Sequence, residues 1–481
     1  MMKRLSLLTI TVGLMLTVAA CDLISIDEVE PEQSVSPSQA LNSVDGFESV
    51  LISSYDRLQS AARYGQVFML YPDALADGAT VTPTNSNRYT GPVDNVQGSH
   101  MTTWGGVYAG INETNLVLSQ IGGLDIAAPN PEAIQNRIEG EAYFLRALNY
   151  FDLARTKGYE PGQEVDGFSL TSPLRLEPTE SAEDAAVIPR ADNTEIYNQV
   201  VSDLNAAITS LTAAEEAGEV NSKNFATAAA AQALLARVSL YTRDWDTAAT
   251  QAQNAINNSG LELVGPESFA DAWAGTTHPE SIFELPMTTG TDGDATNTNG
   301  SLDALTIGDA QQAFSFEVLP TQDLISLHEE GDVRLELYLE GSKGGDAVTY
   351  LAKYPGAIAP NVDPIPVIRL AEMYLIRAEA LYEQDDEAGA RAALNTLRAA
   401  RNASEVTATG DALLDAIFEE RRLELVYEGH RFFDLKRRGL DMPKPQQGRG
   451  LSTLPYSDYR VLAPIPNLQV IEFELTQNPG Y

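Results

Sequence analysis

Residues Ile138 to Thr156 read IEGEAYFLRALNYFDLART, and wound as a helix this stretch is apolar on most sides through Phe144, Leu145, Leu148, Phe151 and Leu153. A helix apolar nearly all round has no solvent face, so it belongs in the interior of a large assembly of helices. Thr194 to Leu211 follows as an amphipathic neighbour, with Ile196, Val200, Leu204, Ala207 and Leu211 on one face and Asn193 placed as its N-cap. Cys21 is the only cysteine in 481 residues. No intramolecular disulfide is available, and stability must come from packing.

Two later stretches share one plan. In Ala226 to Asn257, Ala236, Ala248 and Ala255 are small residues at the spacing where the antiparallel helices of a tetratricopeptide hairpin touch, and Arg243-Asp244-Trp245 makes the turn. Tyr374 to Leu397 repeats this with Ala378 and Ala390 around the turn Gln384-Asp385-Asp386. Such units need stacked neighbours to bury their faces. Long insertions separate them here, so the expected fold is mainly α: an irregular tetratricopeptide-like helical scaffold with long loop insertions and a few short strands. Ser281 to Leu285 and Arg460 to Ile465 are the expected extended segments. The insertions, Tyr71 to Gly98 and Thr288 to Ala310, are rich in Asp, Thr, Asn and Gly. Loops of that length are functional or disordered more often than they are simple connectors.

The N-terminus has the three parts of an export signal: basic Lys3 and Arg4, an uncharged apolar run from Leu5 to Thr17, and Val18-Ala19-Ala20 before Cys21. The run is shorter than the roughly 20 residues a spanning helix needs. Residues 1–20 are therefore read as a lipoprotein signal peptide, Cys21 as the lipidation site, and 21–40, with Asp27, Glu28, Glu30 and Glu32, as an acidic tether. The remainder divides into 41–285 and 286–481, expected to form one compact unit. A net charge of −37, with seven lysines against twenty-four arginines, disfavours nucleic acid as a partner and suits a saline habitat.

Glu419 to Arg438 (EERRLELVYEGHRFFDLKRR) gathers Glu, His, Arg and Asp in one run. Ile417, Arg421, Glu424 and Glu428 fall at helical intervals, so the charges continue an apolar stripe. Arg421 is expected to pair with Glu424, Gly429 to end the helix, and His430 and Arg431 to follow in the turn. Arg421, Glu424, Glu428, His430 and Arg431 are thus read as an internal structural ion-pair network, with no catalytic residue among them. The four histidines are far apart in sequence, and no HExxH, paired-cysteine spacing, nucleophile elbow or phosphate loop is present. No metal site and no cofactor is expected. Asp292, Asp294, Thr296 and Asp303 follow a calcium-loop spacing only loosely, with Asn297 where glycine is required.

Several separated motifs resemble the SusD/RagB family of outer-membrane lipoproteins. In order they are Trp104-x3-Tyr108-x2-Ile111-x3-Asn115; Gly140-Glu141-Ala142-x-Phe144-Leu145-Arg146-Ala147 with Tyr150-Phe151-Asp152-Leu153; and Val187-Ile188-Pro189-Arg190. Ala233-Leu234-Leu235-Ala236-Arg237-Val238, Ile368-Arg369-Leu370-Ala371-Glu372, Glu420-Arg421-Arg422 through Glu428-Gly429-His430-Arg431, and the terminal Leu475-Thr476-Gln477-Asn478-Pro479-Gly480-Tyr481 complete the set.

The resemblance implies four tetratricopeptide-like hairpins carrying a ligand site on variable loops. It also implies a non-enzymatic receptor at the outer membrane, lipid-anchored and facing the cell exterior. Such a receptor captures oligosaccharide and passes it to a SusC-like TonB-dependent transporter. Starch-binding members stack sugars on an arc of aromatic rings. Here Thr288 to Ala313 holds no aromatic residue, and Phe314 and Phe316 lie just beyond it. Tyr71, Tyr89, Trp104 and Trp273 are the stacking candidates elsewhere. Composition and approximate family position select Asp77, Arg88, Tyr89 and Trp104 from the first insertion, and Asp292, Asp294 and Asn297 from the second, as ligand-binding residues. Peptide capture, a secreted glycoside hydrolase and a purely structural scaffold remain open alternatives.

Overall fold

The computed structural model describes residues 41–181, 184–289, 293–297, 300–307, 316–444 and 453–481. The expected signal peptide and tether (residues 1–40, with Cys21) and Asp292 lie outside the described residues, as does the side chain of Asp294. After α1 (Val44–Gln59) and the short α2 (Val67–Ala74), the chain passes through the first insertion and returns as α3 (Gly105–Gln120) to pack on α1. Three further hairpins follow among the described residues: α4 (Pro131–Lys157) with α5 (Asn193–Glu216), α6 (Ala228–Thr242) with α7 (Trp245–Asn258), and α8 (Leu370–Glu383) with α9 (Glu387–Ala400). Each stacks on the one before through α3–α4, α5–α6 and α7–α8. α10 (Asp411–Glu424) closes the stack against α8 and α9, and α11 (Arg431–Arg437) turns back onto α2.

The sequence dictates these hairpins locally. Ala236, Ala248, Ala255, Ala378 and Ala390 are fully buried, letting paired helices approach closely. Arg243 takes a left-handed φ of +59° to end α6, and Asp244 Oδ1 then accepts from the Thr247 N–H at 3.2 Å to start α7. Asp385 (φ +64°) and Asp386, which accepts from the Gly389 N–H at 2.9 Å, do the same between α8 and α9. The two turns touch, because Gln384 Nε2 donates to the Trp245 carbonyl at 2.8 Å. Gly140 marks the tightest crossing: a Cβ there would stand 2.6 Å from Leu211 Cγ, so α4 and α5 could not close.

The strands are short and antiparallel. β1 (Leu170–Pro173) pairs with β2 (Arg190–Asp192). β3 (Ser281–Leu285) is wholly buried, the hairpin of β4 (Tyr338–Lys343) and β5 (Asp346–Leu351) is largely exposed, and β6 (Ile365–Arg369) returns to pair with β3. Arg460 to Ile465 is not a strand. Asp458 accepts from the Arg460 N–H at 2.9 Å and caps a single tight turn, Tyr459–Val461. One hydrophobic core runs from Leu41 to Leu475, and a smaller cluster of Leu375, Leu394, Leu397, Leu413 and Ile417 fastens α8, α9 and α10.

The charged run near the C-terminus departs from its expected pairing. α10 ends at Glu424 rather than at Gly429, and residues 425–429 swing α11 back alongside it. Gly429 permits this, since it takes φ +87° and a Cβ would meet the Phe68 carbonyl at 2.4 Å. Arg421 therefore pairs with Asp434 across the turn at 2.9 Å instead of with Glu424. Glu424 meets Arg401 at 2.9 Å, Arg369 at 2.8 Å and Arg334 at 3.2 Å. Burial alone would raise its pKa, but Arg401 and Arg369 hold it well below the usual carboxylate range. Glu428 takes Lys353 at 2.6 Å and Arg369 at 2.8 Å. His430 is no ion-pair member at neutral pH: burial, then Arg237 and Arg421, push its pKa well down, and Glu372 stands 3.9 Å away. Arg431 opens α11 and bonds Asp77 at 2.7 Å.

Candidate functional site

Trp104 and Tyr108 lie one turn apart at the start of α3, so both rings fall on one face, with centroids 5.1 Å apart and tilted by 48°. The Tyr108 hydroxyl donates to the Pro173 carbonyl at 2.7 Å and fastens the end of β1 beside them. Arg175 donates from Nη1 to the Asp184 carbonyl at 2.9 Å, and from Nη2 to the Ala186 carbonyl, holding that loop as a wall. Asn112 fixes the Thr179 backbone on both sides, accepting from its N–H at 2.6 Å and donating to its carbonyl at 3.2 Å. The C-terminal segment brings Gln469, Phe473 and Leu475 across the opening.

The result is a cleft of about 290 Å³. Trp104, 8 % exposed, forms its floor, and Phe473, 39 % exposed, its outer ring surface. Thr179 and Gln469 bring side chains that form no hydrogen bond with the described residues, and among the described residues no Asp or Glu lines the cleft. Rings suit the apolar faces of a sugar, and uncommitted hydroxyl and amide groups suit its hydroxyls. Glycoside hydrolysis commonly needs two carboxylates about the bond, and the described lining holds none.

The other expected ligand residues do not converge here. Asp77 is buried between Arg431 at 2.7 Å and Arg422 at 3.2 Å. Burial raises its pKa, but the Arg431 bond and both guanidinium charges hold it down, so its capacity is spent inside the fold. Tyr89 adopts φ +58°, stands edge-on to Tyr71 at 5.2 Å, and is not part of the cleft's lining. Arg88 is half-buried beside that ring pair. Trp273 is buried under Lys353, whose Nζ lies 4.8 Å from the ring centroid. Asn297 is exposed in a turn, its carbonyl accepting from the Ser301 N–H at 3.0 Å.

A second partly exposed ring pair, Phe316 and Tyr350 (5.0 Å, 39°), joins the β4–β5 hairpin to the segment after the second insertion, and Glu317 next to it reaches the first. Asn85 Nδ2 donates to the Glu317 carbonyl at 2.8 Å, and the Ser86 N–H donates to Glu317 Oε2 at 3.1 Å. Sequence reasoning passed over Arg175, Thr179, Gln469 and Phe473. No local pattern marks them, and only the fold brings them to Trp104. Among the described residues, no group of three His, Cys, Asp or Glu side chains is arranged to hold a metal ion, and no helix is long and apolar enough to cross a membrane.

Comparison with known proteins agrees with this architecture. Residues 28–240 match a family model described as starch-binding, associating with the outer membrane, and residues 359–481 match the SusD family model. A SusD-like protein of Formosa agariphila is 25 % identical, covering 97 % of this chain and 98 % of its own length. A SusD superfamily crystal structure from Bacteroides thetaiotaomicron superposes with a TM-score of 0.80 at 27 % identity, covering 91 % of this chain and 100 % of that one. A putative sugar binding protein from Bacteroides vulgatus gives 0.76 at 26 % identity, over 92 % and 99 % of the two chains. A laminarin binding SusD-like protein shares the fold at a TM-score of 0.71 and 24 % identity, over 91 % and 99 %. With both family models matched in order and the helical scaffold shared almost end to end, the chain belongs to the SusD-like family, whose members bind carbohydrate without catalysing its cleavage and associate with the outer membrane.

Proposed function

We propose that this protein is a cell-surface lipoprotein that captures neutral oligosaccharides in the Trp104 cleft and hands them to a SusC-like TonB-dependent transporter. The cleft carries this reading: ring surfaces from Trp104, Tyr108 and Phe473, polar groups from Thr179 and Gln469, and no carboxylate among the described residues of its lining. Family membership and the laminarin-binding neighbour favour glycan over peptide. Cys21 at the end of the export signal supplies the lipid anchor, about twenty residues ahead of the scaffold. Capture requires no chemistry. The scaffold holds the rings in place before the ligand arrives, which lowers the ordering cost of binding.

The test is a binding screen of the chain from residue 22 onward against neutral glucan, xylan and mannan oligosaccharides and a parallel set of peptides. Binding to at least one glycan, with its reducing ends unchanged after prolonged incubation, is expected. Binding to peptides alone would replace this reading with peptide capture, and release of new reducing ends would reject a non-catalytic role.

A further inference from the structure

A second hollow, of about 310 Å³, is lined by Tyr159, Asp166, Phe168, Ser457, Tyr459 and Pro479. Its rings are held in place. Tyr459 meets Tyr481 edge-on at 5.1 Å and 85°, and its side chain lies so close to Gly480 that a Cβ there would approach within 2.4 Å. Phe168 carries the Arg190 guanidinium 5.4 Å from its centroid. That guanidinium is itself fixed by the Thr171, Leu170 and Thr476 carbonyls at 2.7 to 2.9 Å and by Asn478 Oδ1 at 2.8 Å.

Hydrogen-bonding capacity around these rings is unspent. The Asp166 carboxylate, the Ser457 hydroxyl and the hydroxyls of Tyr159 and Tyr459 bond to no described residue. Neighbouring polar groups are satisfied: Asp458 pairs with Arg460 at 2.7 Å, and the Tyr456 hydroxyl donates to the Gln163 carbonyl at 2.8 Å. A single exposed carboxylate or hydroxyl means little. Four uncommitted groups around one rigid, ring-lined hollow match a ligand with apolar faces and many hydroxyls. The exposed Asp166 carboxylate disfavours an anionic sugar at this position. The volume sits at the low end of the roughly 300–1,000 Å³ of small-molecule sites, which suits one or two sugar rings.

The hollow also adjoins the first cleft along the chain. Leu475 lines the cleft and Pro479 lines the hollow. Those four residues of chain reach at most about 14 Å. We infer that the Tyr459 hollow is a second sugar subsite, taking a neutral hexose residue of the same oligosaccharide whose other end occupies the Trp104 cleft. This rests on the proposed function of that cleft.

Calorimetry on the chain from residue 22 onward tests it, with laminarihexaose, maltohexaose, mannohexaose and xylohexaose as probes and the trisaccharide of the bound linkage as the short control. Tyr459→Ala should weaken the bound hexasaccharide about tenfold. Asp166→Asn and Ser457→Ala, both at exposed positions, should weaken it several-fold, and Tyr459→Phe should keep most of the affinity. The trisaccharide should bind all four variants like the wild type. Should Tyr459→Ala fail to fold by circular dichroism, the two exposed variants carry the test. Unchanged hexasaccharide affinity in the folded variants, alongside a loss in Trp104→Ala, overturns the second subsite and leaves the cleft standing. A wild-type protein that binds none of the four probes overturns both.

Discussion

Arg401 and Glu424 meet at 2.9 Å with neither side chain reaching solvent. Glu424 also receives Arg369, and both arginines share Glu280, at 2.9 and 2.6 Å. The cluster ties the loop before β3, the end of β6, the end of α9 and the end of α10 into one knot. Removing one member strands a buried charge, at a cost of roughly 3–5 kcal/mol. Arg401→Ala should lower the unfolding free energy by that amount, read as a lower urea midpoint at an unchanged slope. A shift below about 1 kcal/mol would put the pair in the class of surface ion pairs.

Arg421 should couple to Asp434 and not to Glu424. In double-mutant cycles on unfolding free energy, Arg421→Met with Asp434→Asn should show about 1–3 kcal/mol of interaction. The cycle of Arg421→Met with Glu424→Gln should stay near the additive limit of about 0.5 kcal/mol. The reverse order would restore the helix pairing expected from spacing alone.

Asp73 supplies a pH test. Burial pushes it up to about 7, against the opposing pull of the Tyr427 N–H, which donates to it at 2.9 Å. The unfolded chain releases this proton near pH 3.9. Between about pH 4 and pH 7 the native state therefore binds more protons than the unfolded state. The contribution is fully present below that window and is lost as pH rises through it. Asp73→Asn cannot titrate, so its stability relative to wild type should improve by on the order of 1 kcal/mol per pH unit from pH 5 to pH 7. A difference that stays flat across that range would mean Asp73 is ionised throughout.

Helices were the legible part of the sequence. The near-uniform apolarity of Ile138 to Thr156 and the alanine spacing around Arg243 and Gln384 are local patterns, and local patterns survive folding. Ion-pair partners are not local. Arg421 and Glu424 have helix-neighbour spacing, yet a glycine-enabled turn at Gly429 carries Asp434 to Arg421 and leaves Glu424 to arginines from three other segments. The site shows the same division. Trp104 was visible as an aromatic beside a polar insertion, whereas Phe473 and Gln469 reach it only because the C-terminal segment folds back across α3 and β1. Asp77 looked available because it sits in a polar loop, and nothing near it in sequence announces Arg422 or Arg431.

Anchoring should depend on Cys21. Multiple acyl chains give stable attachment where one alone is marginal. Cys21→Ser should leave a folded protein that no longer sediments with outer membranes after a carbonate wash. Retention in that fraction would mean that something other than lipid holds it there.

Calorimetry of the Trp104 cleft tests the carbohydrate-receptor reading most directly. Titration of the bound oligosaccharide into wild type, Trp104→Ala and Phe473→Ala, each confirmed folded by circular dichroism, should show both variants weakened by about 1–3 kcal/mol, the loss of one ring surface each. Wild-type affinity in both folded variants would contradict it and move glycan binding away from this cleft.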